Sequence, residues 1–316
     1  MPRLIGLVVL LGVCLLSVMH RCEAQDTGVT VVEAPGQLGI RVAGQPFAVF
    51  NVGPGLAKPY VFPLRAPGGH VVNTVAPFDH KHHKGVWVGV EHVNGVNFWG
   101  GKYQQQDAVD TTPNAERIAS KSISATPNAN GSLTVKMVND WQGEAGKPVV
   151  IETTDVTIFP NRLMVYDIRL TAGADPVTFV DTKEGFLAIR VAPTMNGKTG
   201  GVIVNAAGDM GEENCWGKTS PWVDYSGPVD GKVAGVALFD HPGNVRPSRY
   251  HVRGYGLFAI SPFGEKVYSK GQSPEIPLTL KPGESFGVKY GLFPHAGDAV
   301  AGKVAEAHAQ FVEWTK

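Results

Sequence analysis

The chain has 316 residues, with 28 basic and 28 acidic side chains, 43% apolar residues, 39 glycines and 23 prolines. A net charge of zero lacks the basic footprint of a nucleic-acid binder, and no nucleic-acid partner is expected. The length is ample for one large β domain with a core of its own.

From the N-terminus, Arg3 precedes an apolar run from Leu4 to Val18. The run is short of the roughly twenty apolar residues that span a bilayer. Cys22-Glu23-Ala24 then offers the small residues that a signal peptidase reads, so residues 1–24 are expected to be a signal peptide, cleaved after Ala24. Lipid anchoring at Cys22 is the weaker alternative, because His20-Arg21 lacks the small residues expected before it. The expected mature protein, 25–316, is exported to the periplasm or beyond and not inserted in a membrane. It keeps 26 basic against 27 acidic residues, because Arg3, Arg21 and Glu23 leave with the signal. Cys215 is then its one cysteine, which rules out an internal disulfide and reads as a small buried hydrophobe.

The mature chain reads as strands almost throughout. Leu133–Val138 alternates apolar and polar residues, and Asn130-Gly131 before it marks a hairpin with Ile118–Ala125. Pro160-Asn161 separates Val149–Phe159 from Leu163–Leu170, and further strands are expected at Val177–Thr182, Phe186–Ala192, Gly201–Ala206, Lys232–Phe239, Tyr255–Ser261, Ile276–Leu280 and Ser285–Phe293. Residues 25–35 read as a loose leader or a first strand. Asp298–Trp314 is the one helical pattern. The expected fold is all-β: a single large antiparallel β-sandwich with one C-terminal helix.

Three groups of residues carry possible chemistry. Asp79-His80-Lys81-His82-His83-Lys84 places three imidazoles in four positions, and imidazole is both the side chain that titrates near neutrality and the commonest metal ligand. On an extended backbone His80 and His82 would share a face and His83 would oppose them. In the second group, Glu184 sits at a bend before a strand from which Arg190 projects. A carboxylate facing an imidazole is the ordinary pair for acid–base work, and Arg190 can clamp hydroxyls or a carboxylate. The plainer reading there is a surface ion-pair cluster of Asp181, Lys183, Glu184 and Arg190. The third group is His241, His251 and Arg253 at neighbouring strand ends, with Trp216 and Trp222 in a loop, where their rings can stack on sugars.

Lys58–Leu64, Asp79–Trp87, Asn94–Trp99 and His251–Leu257 together resemble the markers of a bacterial family labelled methane oxygenase PmoA, over about Val52 to Phe293. The resemblance implies an exported protein on a supersandwich similar to galactose mutarotases. The leading expectation is a carbohydrate-active enzyme on a small sugar or oligosaccharide. Its catalytic residues would be His82 or His83, Glu184 and His251, with Arg190, His241, Arg253, Trp216 and Trp222 binding substrate and no certain cofactor. One alternative is an oxygenase or hydrolase with copper or another divalent metal on His80, His82 and His83. The other is a carbohydrate-binding protein without catalysis.

Overall fold

The computed structural model describes residues 28–102 and 116–316, and the expected signal segment lies outside them. In chain order the first strands are β1 (Val29–Ala34), β2 (Gln37–Val42), β3 (Gln45–Asn51), β4 (Tyr60–Leu64), β5 (Val86–Val90) and β6 (Arg117–Pro127). They are followed by β7 (Leu133–Gln142), β8 (Pro148–Ile158), β9 (Met164–Ala172), β10 (Val177–Phe179), β11 (Gly185–Arg190) and β12 (Val202–Asn205). Next come a short helix α1 (Glu212–Cys215), then β13 (Trp222–Val229), β14 (Lys232–Asp240), β15 (Arg249–Val252) and β16 (Leu257–Ser261). The chain closes with α2 (Glu265–Tyr268), β17 (Leu278–Leu280), β18 (Ser285–Ala296) and α3 (Val304–Trp314).

The period-two pattern translates directly into burial. In β7, Leu133, Val135, Met137 and Trp141 point inward and are buried, while Lys136 is exposed. Gly131, at φ +79°, supplies the left-handed turn residue that joins β6 to β7, with Pro127 opposite Leu133. Repeated along the chain, this alternation gives two eight-stranded sheets. One runs β1-β2-β3-β4-β5-β11-β16-β15 and the other β12-β13-β14-β18-β9-β8-β7-β6. Neighbours in both sheets pair antiparallel. The fold is therefore the large antiparallel β-sandwich expected. Its main core, with Phe47, Phe50, Trp141, Ile168, Phe258 and Tyr290, lies between the sheets. Cys215 is buried in the same core, and that burial pushes its thiol up to about 11, with help from Asp209.

Of the two readings of the start of the mature chain, the first strand holds, because β1 pairs along its whole length with β2. Two expectations need correction. The C-terminal helix begins at Val304 rather than Asp298, since the Asp298 carboxylate accepts from the Val300 and Ala301 amides and holds a turn there. Trp222 does not lie in a loop. It opens β13 on the outer face of the second sheet, where Val304, Ala307 and Phe311 of α3 pack on Leu163, Phe239 and Phe293.

That helix seals an apolar sheet face that would otherwise meet water. Phe311→Ala is expected to cost about 3–5 kcal/mol, the usual range for emptying a fully buried Phe site. Urea unfolding measures it, and a loss well below 1 kcal/mol would show that α3 does not seal the sheet.

Candidate active site

The outer face of the first sheet carries a row of facing residues from four strands. Trp87 pairs with Ala188, Ala188 with Ala259, and Ala259 with His251. Two alanines between a tryptophan and a histidine make low ground between taller walls. Arg190, two residues beyond Ala188, shares that face. Gly256 (φ +101°) makes room for it, because a Cβ there would meet Val191 at 3.1 Å and Arg190 Nε at 3.4 Å.

The histidine loop closes over this floor. His80 N donates to Pro77 O and His83 N to His80 O, both at 3.0 Å, and Ala76 N donates to His83 O at 2.7 Å. These are turns, not extended chain, so residues three apart meet. His80 and His83 stack at 4.7 Å and 7°, which corrects the expected pairing of His80 with His82. The stack continues at both ends: Tyr255 lies on His80 at 4.8 Å and Trp87 on His83 at 5.2 Å. His82 meets both histidines edge-on and tilts towards Trp99.

Arg190 ties the loop to the sheet. Its Nη2 donates to Asp79 Oδ1 and Oδ2 at 3.0 and 2.7 Å, and its Nη1 to His83 Nδ1 at 3.0 Å. An arginine has no lone pair to offer, so His83 Nδ1 accepts and the neutral ring carries its proton on Nε2. Burial holds His83 far below the ordinary imidazole range, and the positive neighbours His82 and Arg190 add to this. Burial pushes the Asp79 carboxyl upward, but hydrogen bonds from Arg190 and His80 outweigh it and leave Asp79 below its usual value. His80 Nδ1 lies 2.9 Å from Asp79 Oδ2, and its ring is about a third exposed. A carboxylate at Nδ1 favours the tautomer with its proton there and leaves Nε2 as the acceptor.

Glu184, His251 and Arg253 form the other wall. His251 Nδ1 donates to Lys183 O at 2.8 Å, and Arg253 Nε donates to His251 Nε2 at 3.1 Å. Both ring nitrogens are thus engaged by a neutral imidazole, and burial lowers its pKa from 6.5 to about 4. The Tyr268 hydroxyl donates to the same Lys183 carbonyl, which pins the turn carrying Glu184. Glu184 pairs with the Lys183 ammonium. Arg253 pairs with Glu212 at 2.7 Å and lies over the Trp216 ring. Tyr255 joins the two walls. Burial, then the charges of Arg253, Glu184, Arg190 and Asp79, all act on its hydroxyl, which is pushed up to about 12.

Of the sequence-predicted residues, His80, His82, His83, Glu184, Arg190, His251, Arg253 and Trp216 come together. Trp222 and His241 do not. His241 follows β14 of the second sheet, accepts from Gly243 N and meets Phe311 of α3 edge-on. Nor do Asp181, Lys183, Glu184 and Arg190 form one ion-pair cluster, because Asp181 instead accepts the Lys266 and Val267 amides at α2. Tyr255 and Lys58 join the site from within the marker motifs, where only their place in those motifs pointed to them, and Asp79 of the histidine cluster takes the role of Arg190's partner. Lys58 is fully buried beside Trp87, donating to the Trp99 carbonyl at 2.9 Å, and burial holds it well below its usual pKa.

The metal alternative does not fit this arrangement. Imidazole lone pairs lie in the ring plane, so the stacked His80 and His83 cannot aim them at one point, and Arg190 occupies His83 Nδ1. Among the described residues no group of three or more His, Cys, Asp or Glu side chains is placed to hold an ion.

A family model described as a family of unknown function, DUF6807, matches residues 37–310. No curated protein matches the chain. Among solved structures, a TPR-domain containing protein from Parabacteroides distasonis ATCC 8503 is similar at 12% identity and a TM-score of 0.39. The match covers 82% of this chain but 46% of the other, so this chain spans under half of that protein. A Klebsiella pneumoniae subsp. pneumoniae MGH 78578 protein, provisionally described as an aldose 1-epimerase, is similar at 9% identity and 0.41, covering 90% of this chain and 86% of its own. At such scores neither likeness bears on function, and the architecture rests on the strand pairing itself.

A buried neutral histidine has a consequence for stability. His251 binds its proton near pH 6.5 when unfolded and only near 4 when folded. Between those values the unfolded chain holds the extra proton, so stability falls as pH drops from 6.5 towards 4 and this contribution levels off below. His251→Gln is expected to flatten that part of the Tm-versus-pH curve. An unchanged slope would contradict the buried neutral state.

Proposed function

The chain belongs to DUF6807, a family of unknown function, and we propose that it is an exported enzyme acting on a neutral sugar or glycoside by acid–base catalysis. The observation that carries this reading is the Asp79–His80 pair, a partly exposed imidazole backed by a carboxylate at 2.9 Å and stacked on Tyr255. Two proton-transfer groups on opposite walls of one site are what ring opening, epimerisation, elimination and glycoside hydrolysis have in common.

The roles divide by exposure. His83 is buried with Nδ1 held by Arg190, and His251 is buried with both nitrogens engaged, so they position rather than transfer protons. His80, oriented by Asp79, exchanges a proton at Nε2 with a substrate oxygen. Glu184 serves the opposite side, taking a proton from a substrate hydroxyl or C–H. Three cations of the site meet carboxylates: Arg190 meets Asp79, Lys183 meets Glu184 and Arg253 meets Glu212, while the buried Lys58 donates to the Trp99 carbonyl. Those matched pairs favour an uncharged, hydroxyl-rich ligand.

The test is turnover of a panel of neutral aldoses and glycosides, followed by NMR anomer exchange and product analysis. His80→Ala and Glu184→Gln are each expected to lower turnover roughly a hundredfold to ten-thousandfold with the fold intact. Asp79→Asn should act in the same direction through the His80 tautomer. Binding without turnover in the wild type would favour a carbohydrate-binding protein, and full activity in the His80→Ala/Glu184→Gln double variant would sink the assignment.

A further inference from the structure

Phe78 is the most exposed large apolar side chain among the described residues, at 97%. It directly precedes Asp79 and stands two residues from His80, so about 7 Å at most separates its backbone from that of the proposed proton-transfer group. Exposure on a slack loop would mean little, but this loop is pinned on every side. Ala76 N and Gly85 N bond to His83 O and Thr74 O, and Arg190 grips Asp79. Ala76 holds a left-handed backbone, φ +47°, just before Pro77 and Phe78, a conformation non-glycine residues avoid unless their surroundings enforce it. The fold therefore holds the backbone that carries this water-exposed ring, next in the chain to Asp79.

The site's other wall ends in an aromatic as well. Trp216 is partly exposed and carries Arg253 over its ring. An exposed aromatic ring beside polar groups suits a sugar ring, whose C–H face stacks on the aromatic while its hydroxyls meet the polar groups. Resting on the carbohydrate reading above, we propose that Phe78 is the stacking platform of an adjoining subsite, so that the substrate is a glycoside or oligosaccharide of two or more units and not a free monosaccharide. The matched charges around Arg190, Lys183 and Arg253 extend the same preference to neutral units.

The experiment uses the full mature chain and isothermal titration with glucose, galactose and xylose, and with their disaccharides and trisaccharides. Wild type is expected to bind an oligosaccharide more tightly than its monosaccharide. Phe78→Ala should weaken the oligosaccharide roughly tenfold and leave the monosaccharide unchanged, while Phe78→Trp preserves both. Equal affinity for mono- and oligosaccharide in the wild type, or a Phe78→Ala effect that is absent or the same for both, would overturn the subsite while leaving the enzymatic reading intact. Failure of every sugar to bind the wild type would overturn both. Loss of binding to phosphatidylglycerol vesicles on Phe78→Ala, with sugar affinity unchanged, would reassign the ring to a membrane contact and overturn the subsite.

Discussion

The candidate site depends on one buried cation. Arg190 rises from β11 and is almost wholly removed from water. A guanidinium in that position is costly unless its charge is matched and its donors are used. Asp79 matches the charge and His83 Nδ1 accepts from Nη1, and both come from a loop more than a hundred residues earlier. The loop has little freedom to sit elsewhere, since moving it would strand the charge. Its position over the sheet and the placing of His83 beside Arg190 go with satisfying that charge.

The same interaction sorts the histidines. Close to Arg190 and under the loop, His83 is forced neutral because a second positive charge in low dielectric is doubly disfavoured. His251 reaches the same state by burial and by committing both nitrogens. His80 alone of the three keeps an exposed edge together with a carboxylate partner. One stack thus runs from a buried tryptophan to a partly exposed tyrosine, with His80 next to its outer end.

Much of the fold was legible because period-two alternation has few solutions other than a half-buried strand. Leu133–Val138, Val149–Phe159 and Ser285–Phe293 all lie in or nearly match strands. Errors arose where local chemistry competes with pattern. Asp298 starts a side-chain-held turn inside an otherwise helical spacing. In the histidine loop, extended-chain logic paired His80 with His82, whereas successive turns paired His80 with His83. Trp222 and His241 joined the expected site because they stand near Trp216 and His251 in sequence, yet strand order sends them to the second sheet.

By itself, the amino-acid sequence determined which residues have chemistry to offer, and it determined the fold class, since side-chain type and spacing act locally. Which of those residues meet was decided only by tertiary structure. Arg190 finds Asp79, Tyr255 bridges two walls, and Ala188 and Ala259 leave low ground between Trp87 and His251, because antiparallel register brings four distant strands side by side. Burial then assigns the protonation states. It depends on what covers a residue after folding, and no local stretch of chain contains that information.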